Sequence, residues 1–254
     1  MRNYIAFTKK ELLESIRTYR LLIMLLVFLI FGIMSPLAAK MMPEILSASM
    51  PEGMTISLAE PTAIDSWTQF FKNISQMGLI VTIIIFSGVL GTELSKGTLI
   101  NLLTKGLSRN TVILSKFTGM AIIWTISYAA AFIVTLGYTV YLFPNDEVSN
   151  LLFSVFCLWL FGMFLLAVLL SASTLIKNNY GALLISGAVI VVLKLCNIVP
   201  NLQNYNPLLL ATDNVSLLTK TVEVSSLSDA AAISIICSAM LIIASILIFR
   251  KRQL

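Results

Sequence analysis

Six stretches of the chain stay apolar over about 20 residues, the length a helix needs to cross a bilayer core. They cover residues 21–39, 73–92, 117–143, 148–176, 180–199 and 229–249. Within them apolar residues occupy every side of a helical wheel. The run Leu79-Ile80-Val81-Thr82-Ile83-Ile84-Ile85-Phe86 lacks the polar–apolar alternation of a barrel strand. The pattern predicts an all-α integral membrane protein with six transmembrane helices. The third and fourth runs exceed the bilayer requirement, which predicts tilt or extension beyond it. The first is longer than a signal-peptide core and follows 20 other residues, so it reads as a retained anchor.

Shorter periodic segments lie between these runs. Over 3–19 the spacing predicts an amphipathic helix, with Tyr4, Ile5, Leu12, Leu13, Ile16 and Tyr19 on one broad face. Lys10, Glu11, Glu14 and Arg17 lie opposite, Phe7 is an exception, and Lys9 must snorkel from the apolar arc. Such a helix beside a span lies in the membrane interface. In the loop 93–116, Thr98 reads as an N-cap and Gly106 as the residue just past a helix end. Leu99, Leu102 and Leu103 form an apolar stripe between them, which needs a partner surface. Ser108 reads as the cap of a second helix that runs through Lys116 into the third span. After Pro200, Asn206 and Pro207 start a helix to Leu218 that is too short to span. Loop 40–72, with Pro43, Pro51 and Pro61, reads as a solvated linker. Ser35-Pro36 predicts a kink in the first span. Ser87/Gly91, Ala182/Ser186 and Ala230/Ser234/Ser238 suit close helix packing.

Composition agrees with the pattern: 58% of residues are hydrophobic and only 11% charged, against about 25% charged in soluble domains. Charge then orients the chain. With six spans, both termini and the loops 93–116 and 177–179 share one side. That side holds 13 of the 17 Lys and Arg residues, and the opposite side holds Lys40, Lys72 and Lys220. The asymmetry places the termini in the cytoplasm. The net charge of +5 is therefore a topology signal with affinity for anionic membrane lipids, and points to no nucleic-acid partner.

The chain has no histidine, which excludes any mechanism that depends on one. Cys157, Cys196 and Cys237 are scattered in apolar runs and read as small buried hydrophobes. No catalytic residue or metal site is expected. Gly91 and Gly97 lack the spacing of a phosphate-binding loop, so no ATP hydrolysis by that route is expected. About 50 cytoplasmic residues are too few for a catalytic domain. Lys194 is the one charged side chain well inside a span. It either snorkels or faces a polar path with Asn73, Ser75, Gln76, Thr82 and Ser87.

Glu93, Gly97-Thr98-Leu99, Leu102-Leu103-Thr104, Ser108-Arg109 and Lys116 together resemble the cytoplasmic signature of ABC-2 type transporter permeases. The resemblance covers the whole chain, residues 1–254, as one transmembrane domain, although members often carry Pro where this chain has Gly106. It implies an elbow helix over 1–20, with Leu12, Leu13, Ile16 and Arg17. It implies a coupling helix over Thr98–Lys105, with Glu93, Gly97, Thr98, Leu99, Leu102, Leu103, Lys105, Gly106 and Arg109 in ATPase coupling. It implies a short outer-leaflet helix between spans five and six. Two such chains would pair, a homodimer being expected, in the cytoplasmic membrane. They would meet two separate ABC ATPase subunits that carry ATP and magnesium, with no cofactor on this chain. Asn73, Gln76, Thr82 and Lys194 are the candidate substrate path, and amphipathic peptides, toxins or drugs are the expected cargo. A secondary transporter should show internal repeats and paired midplane charges, and an intramembrane enzyme an activated nucleophile. Neither pattern occurs. A membrane sensor or immunity protein stays open, and ligand-stimulated ATPase activity would separate it.

Overall fold

The structure, a computed structural model, describes residues 2–48, 60–95, 97–104, 106–144, 146, 148–176 and 178–251. Every regular element among them is helical. In chain order they are α1 (Arg2–Arg17), α2 (Arg20–Ala48), α3 (Ala63–Asn73), a π turn (Ile74–Gly78), α4 (Leu79–Phe86), α5 (Gly91–Ser95) and α6 (Thr98–Thr104). There follow α7 (Arg109–Leu142), α8 (Leu151–Leu175), α9 (Asn179–Cys196), α10 (Pro200–Gln203), α11 (Leu209–Thr212), α12 (Asn214–Leu218), a 3-10 turn (Val224–Leu227) and α13 (Ser228–Lys251).

Among the described residues, five helices are long and apolar enough to cross a membrane: 20–45, 63–94, 109–142, 151–175 and 224–251. The expected fifth span, 180–199, is a shorter apolar helix that ends at Cys196. The chain turns at Asn197 because the buried Asn206 amide donates to Leu193 O at 2.7 Å and Asn206 Oδ1 accepts from Leu208 N at 3.0 Å.

Two further boundaries differ from the sequence reading. The second span begins at Ala63 rather than near residue 73, because Asp65 Oδ2 accepts from Thr62 N at 2.8 Å and closes the helix start. Trp67, Phe70 and Phe71 then bury one face of α3. Loop 40–72 is accordingly no simple linker: its first residues extend α2 and its last belong to α3, while 49–59, with Pro51, lie outside the described residues. The helix expected over 207–218 is broken at Asp213 into α11 and α12.

α8 is the central helix, buried on nearly all sides from Cys157 to Thr174. α2 packs tightly on α7 through Gly32, where a Cβ would come 2.8 Å from Ala131 O. Pro36 lacks the N–H that Gly32 O would otherwise accept, and Thr135 Oγ1 of α7 donates to that carbonyl at 3.1 Å. The Trp124 ring lies over Gly162, where any Cβ would overlap it, stacks on Tyr128 and donates to Trp159 O at 3.2 Å. Ser171 of α8 and Ser245 of α13 hydrogen-bond at 2.9 Å. Ala182, Ser186, Ala230 and Ser234 are all buried, as close packing at those spacings requires.

Polar contacts define the two ends of the bundle. At one end α1 meets the start of α7, and Arg109 meets the last turn of α13. At the other, Asn150 donates to Leu217 O and Ser154 to Asn214 O, which ties α8 to α12.

Candidate coupling site and cleft

The first end is built around two lysines and three carboxylates. Lys116 of α7 is 2% exposed and contacts Glu11 of α1 at 3.0 Å and Glu93 of α5 at 2.7 Å. Lys10 contacts Glu11 at 3.1 Å, Glu14 at 2.6 Å and Glu93 at 2.6 Å. Five of the six carboxylate oxygens therefore meet an ammonium group. The carboxylates of Glu11, Glu14 and Glu93 lie within 4.8 Å of one another, but the lysines occupy the positions a cation would need. Burial opposes the charge on Lys10. Its hydrogen bonds to Glu14 and Glu93 and the field of Glu11 outweigh that penalty and hold its pKa above the ordinary lysine value.

This cluster decides how α1 sits. Phe7, Thr8, Glu11 and Ser15 face the protein, while Ile5, Leu13, Ile16 and Tyr19 are exposed, as is Arg17. The charged side is thus turned inward and most of the apolar arc outward, with Leu12 partly buried against the core. Tyr4 OH bonds Thr118 Oγ1 at 2.6 Å, and Glu11 Cβ would lie 3.4 Å from a Cβ at Gly119.

Glu93 sits on a short helix, turn and helix. Gly97 (φ 67°) ends α5 and Gly106 (φ 90°) follows α6, both in the left-handed region that favours glycine. Thr98 is the first residue of α6 rather than its cap, and its hydroxyl donates to Glu93 O at 3.3 Å. Leu99 is fully buried in the chain itself and Leu103 packs partly buried against the core. Those two leucines therefore find partners within the molecule, contrary to an exposed stripe. The Leu102 side chain and Lys105 lie outside the described residues. Ser108 caps α7 as expected, accepting from Thr111 N at 3.2 Å. Arg109 instead clamps the end of α13, donating to Phe249 O at 3.0 Å and Arg250 O at 2.6 Å.

The expected substrate path is divided by the structure. Gln76 and Lys194 line one cleft of about 550 Å³ between the α3–α4 segment and α9, α11 and α12. Asn73 instead donates to Ser35 Oγ at 3.0 Å, and Thr82 is buried, donating to Gly78 O at 2.8 Å. Lys72, Ser75 and Thr212 join the cleft.

A family model described as ABC-2 family transporter protein matches residues 5–254. The chain belongs to the ABC-2 transporter family. It is 24% identical over 180 residues, 70% of each chain, to the uncharacterized transmembrane protein YxlG of Bacillus subtilis (strain 168). The family is a membrane transport component that normally works with ABC ATPase partners. In this ABC-2 chain, sequence reasoning found Glu93 and Lys116 but missed that Lys10 and Glu11 join them. Lys10 and Glu14 are spaced i,i+4, the signal that flags an ion-pair face, but nothing in spacing shows a partner 83 residues away. Lys72 was read as an outside charge, and only the π turn and α9 bring it to the cleft.

Proposed function

We propose that this chain is the permease subunit of an ATP-driven exporter in the cytoplasmic membrane. It crosses six times, counting α9, with both termini in the cytoplasm. Two copies form the pathway over two ATPase subunits, which carry ATP and magnesium. α9 supports the sixth crossing: its 18 residues extend about 27 Å, and it begins next to the end of α8 and finishes beside Asn206 at the opposite end. With six crossings, the 13-to-3 split of basic residues in the sequence supports a cytoplasmic Lys116 end.

One observation carries the coupling reading. The Lys10–Glu11–Glu93–Lys116 cluster joins the elbow helix α1, the α5–α6 turn and α7 into one charged knot at that end. A push on α6 from an ATPase is therefore passed to α1 and to α7, which leads straight into the third span. The outward apolar arc of α1 supports an interfacial seat on lipid. Amphipathic peptides, toxins or drugs are the cargo classes that this compact form suggests.

Co-expression with the candidate ATPase tests the reading. Leu102→Asp should insert normally yet lose ATP-driven export. A variant that still copurifies with the ATPase and exports normally would refute the coupling assignment.

A further inference from the structure

We infer that the cleft between the α3–α4 segment and α9 binds the anionic head of an amphiphile. The inference deepens the exporter reading by naming the charge of its cargo, and rests on that reading only for the word cargo. The charged side chains lining the cleft are Lys72 and Lys194, and no carboxylate lines it. They come from two separate helices, so each brings its charge to the same space independently of the other. Neither forms an ion pair among the described residues. Asp213 follows the lining residue Thr212, but its Oδ1 accepts the Thr212 hydroxyl at 2.9 Å.

The rest of the wall sets the ligand's other half. Phe71, Leu79, Ile83, Phe161, Ile190 and Leu208 make it largely apolar. Both lysines are exposed in the chain, so their ammonium groups stand open to an incoming anion beside that apolar surface. Ser75 and Gln76 sit on the π turn Ile74–Gly78, next to Lys72, and add neutral hydrogen-bonding groups. A π turn inside a helix is a frequent mark of a functional site. A volume of about 550 Å³ suits a ligand of small-molecule size. Two positive charges, neutral polar groups and an apolar wall together fit a phosphate or carboxylate head with an alkyl tail. The same charges repel cationic amphiphiles, which narrows the cargo classes above.

The full chain in phosphatidylcholine nanodiscs is the test. The probes are a photoreactive single-chain phosphate lipid and its choline-headed counterpart with the same tail. The phosphate probe should label segments 68–83 and 190–215 in preference to the choline probe. Lys72→Gln with Lys194→Gln should lower that labelling about tenfold or more, while Lys72→Arg with Lys194→Arg retains it. Equal labelling by both probes, or an arginine pair no better than the glutamine pair, overturns the inference. Because the arginine pair keeps charge, folding defects of the glutamine pair do not decide the outcome. With the ATPase and ATP added, stimulation by the phosphate probe supports cargo. Binding without stimulation overturns the cargo assignment and marks a resident lipid site. Loss of the ATPase from the complex would refute the exporter reading and leave the binding result standing.

Discussion

Lys116→Met removes the centre of the charged knot and keeps most of the side-chain volume. In the native chain the Lys116 side chain is 1% exposed and its partners Glu11 and Glu93 are 8% and 10% exposed. The variant leaves both carboxylates buried with Lys10 as their shared cation. Breaking a buried pair by removing one partner costs about 3–5 kcal/mol. At about 1.4 kcal/mol per decade this is a rise of roughly two to three and a half orders of magnitude in the opening equilibrium of α1. Hydrogen exchange in nanodiscs reads that equilibrium through the α1 amides around Glu11. Their exchange should speed up by roughly that factor, with little change in the middle of α8, which contributes no ion pair to the cluster among the described residues. Glu11→Gln added to Lys116→Met should recover part of the loss, since one uncompensated carboxylate is gone. Unchanged α1 exchange in Lys116→Met would refute the argument, because it would mean that water already solvates the two carboxylates.

Other perturbations probe separate features. Gly162→Ala places a methyl in the space of the Trp124 ring, and should lower thermal stability by about 1–3 kcal/mol with altered tryptophan fluorescence. Thr135→Val leaves Gly32 O without its donor at the Pro36 gap, a loss of about 1–3 kcal/mol that a thermal melt detects. Lys10 has a raised pKa, so its stabilising contribution is complete below the ordinary lysine value of 10.5 and is lost only as pH climbs through the raised one. Thermal midpoints of wild type and Lys10→Met should therefore differ at neutral pH and converge only in strongly alkaline buffer. Cysteines placed at Arg17 and Lys220 should react with an impermeant reagent from opposite sides of the membrane, which tests the orientation.

Five of the six expected spans were legible because lipid demands long apolar helices. Ser108 and Gly106 announced their roles because capping and left-handed turns depend on local chemistry. The start of α3 was not legible: Asp65 and Lys72 resemble loop residues until Trp67, Phe70 and Phe71 have a neighbour to bury against. Leu99 looked like half of an external contact because a stripe shows that a face is apolar without naming its partner. Asn73 and Thr82 looked like path residues for the same reason, since polarity in a span does not show whether a nearby hydroxyl or carbonyl already satisfies it. By itself, then, the sequence determined that this is a helical membrane protein with an amphipathic first helix and a helix–turn–helix after the second span. Only the tertiary structure decided that the charged side of α1 turns inward onto Lys116, and that Lys72 and Lys194 line one cleft. The first depends on buried charge contacts and the second on packing between residues far apart in the chain, and helical periodicity registers neither.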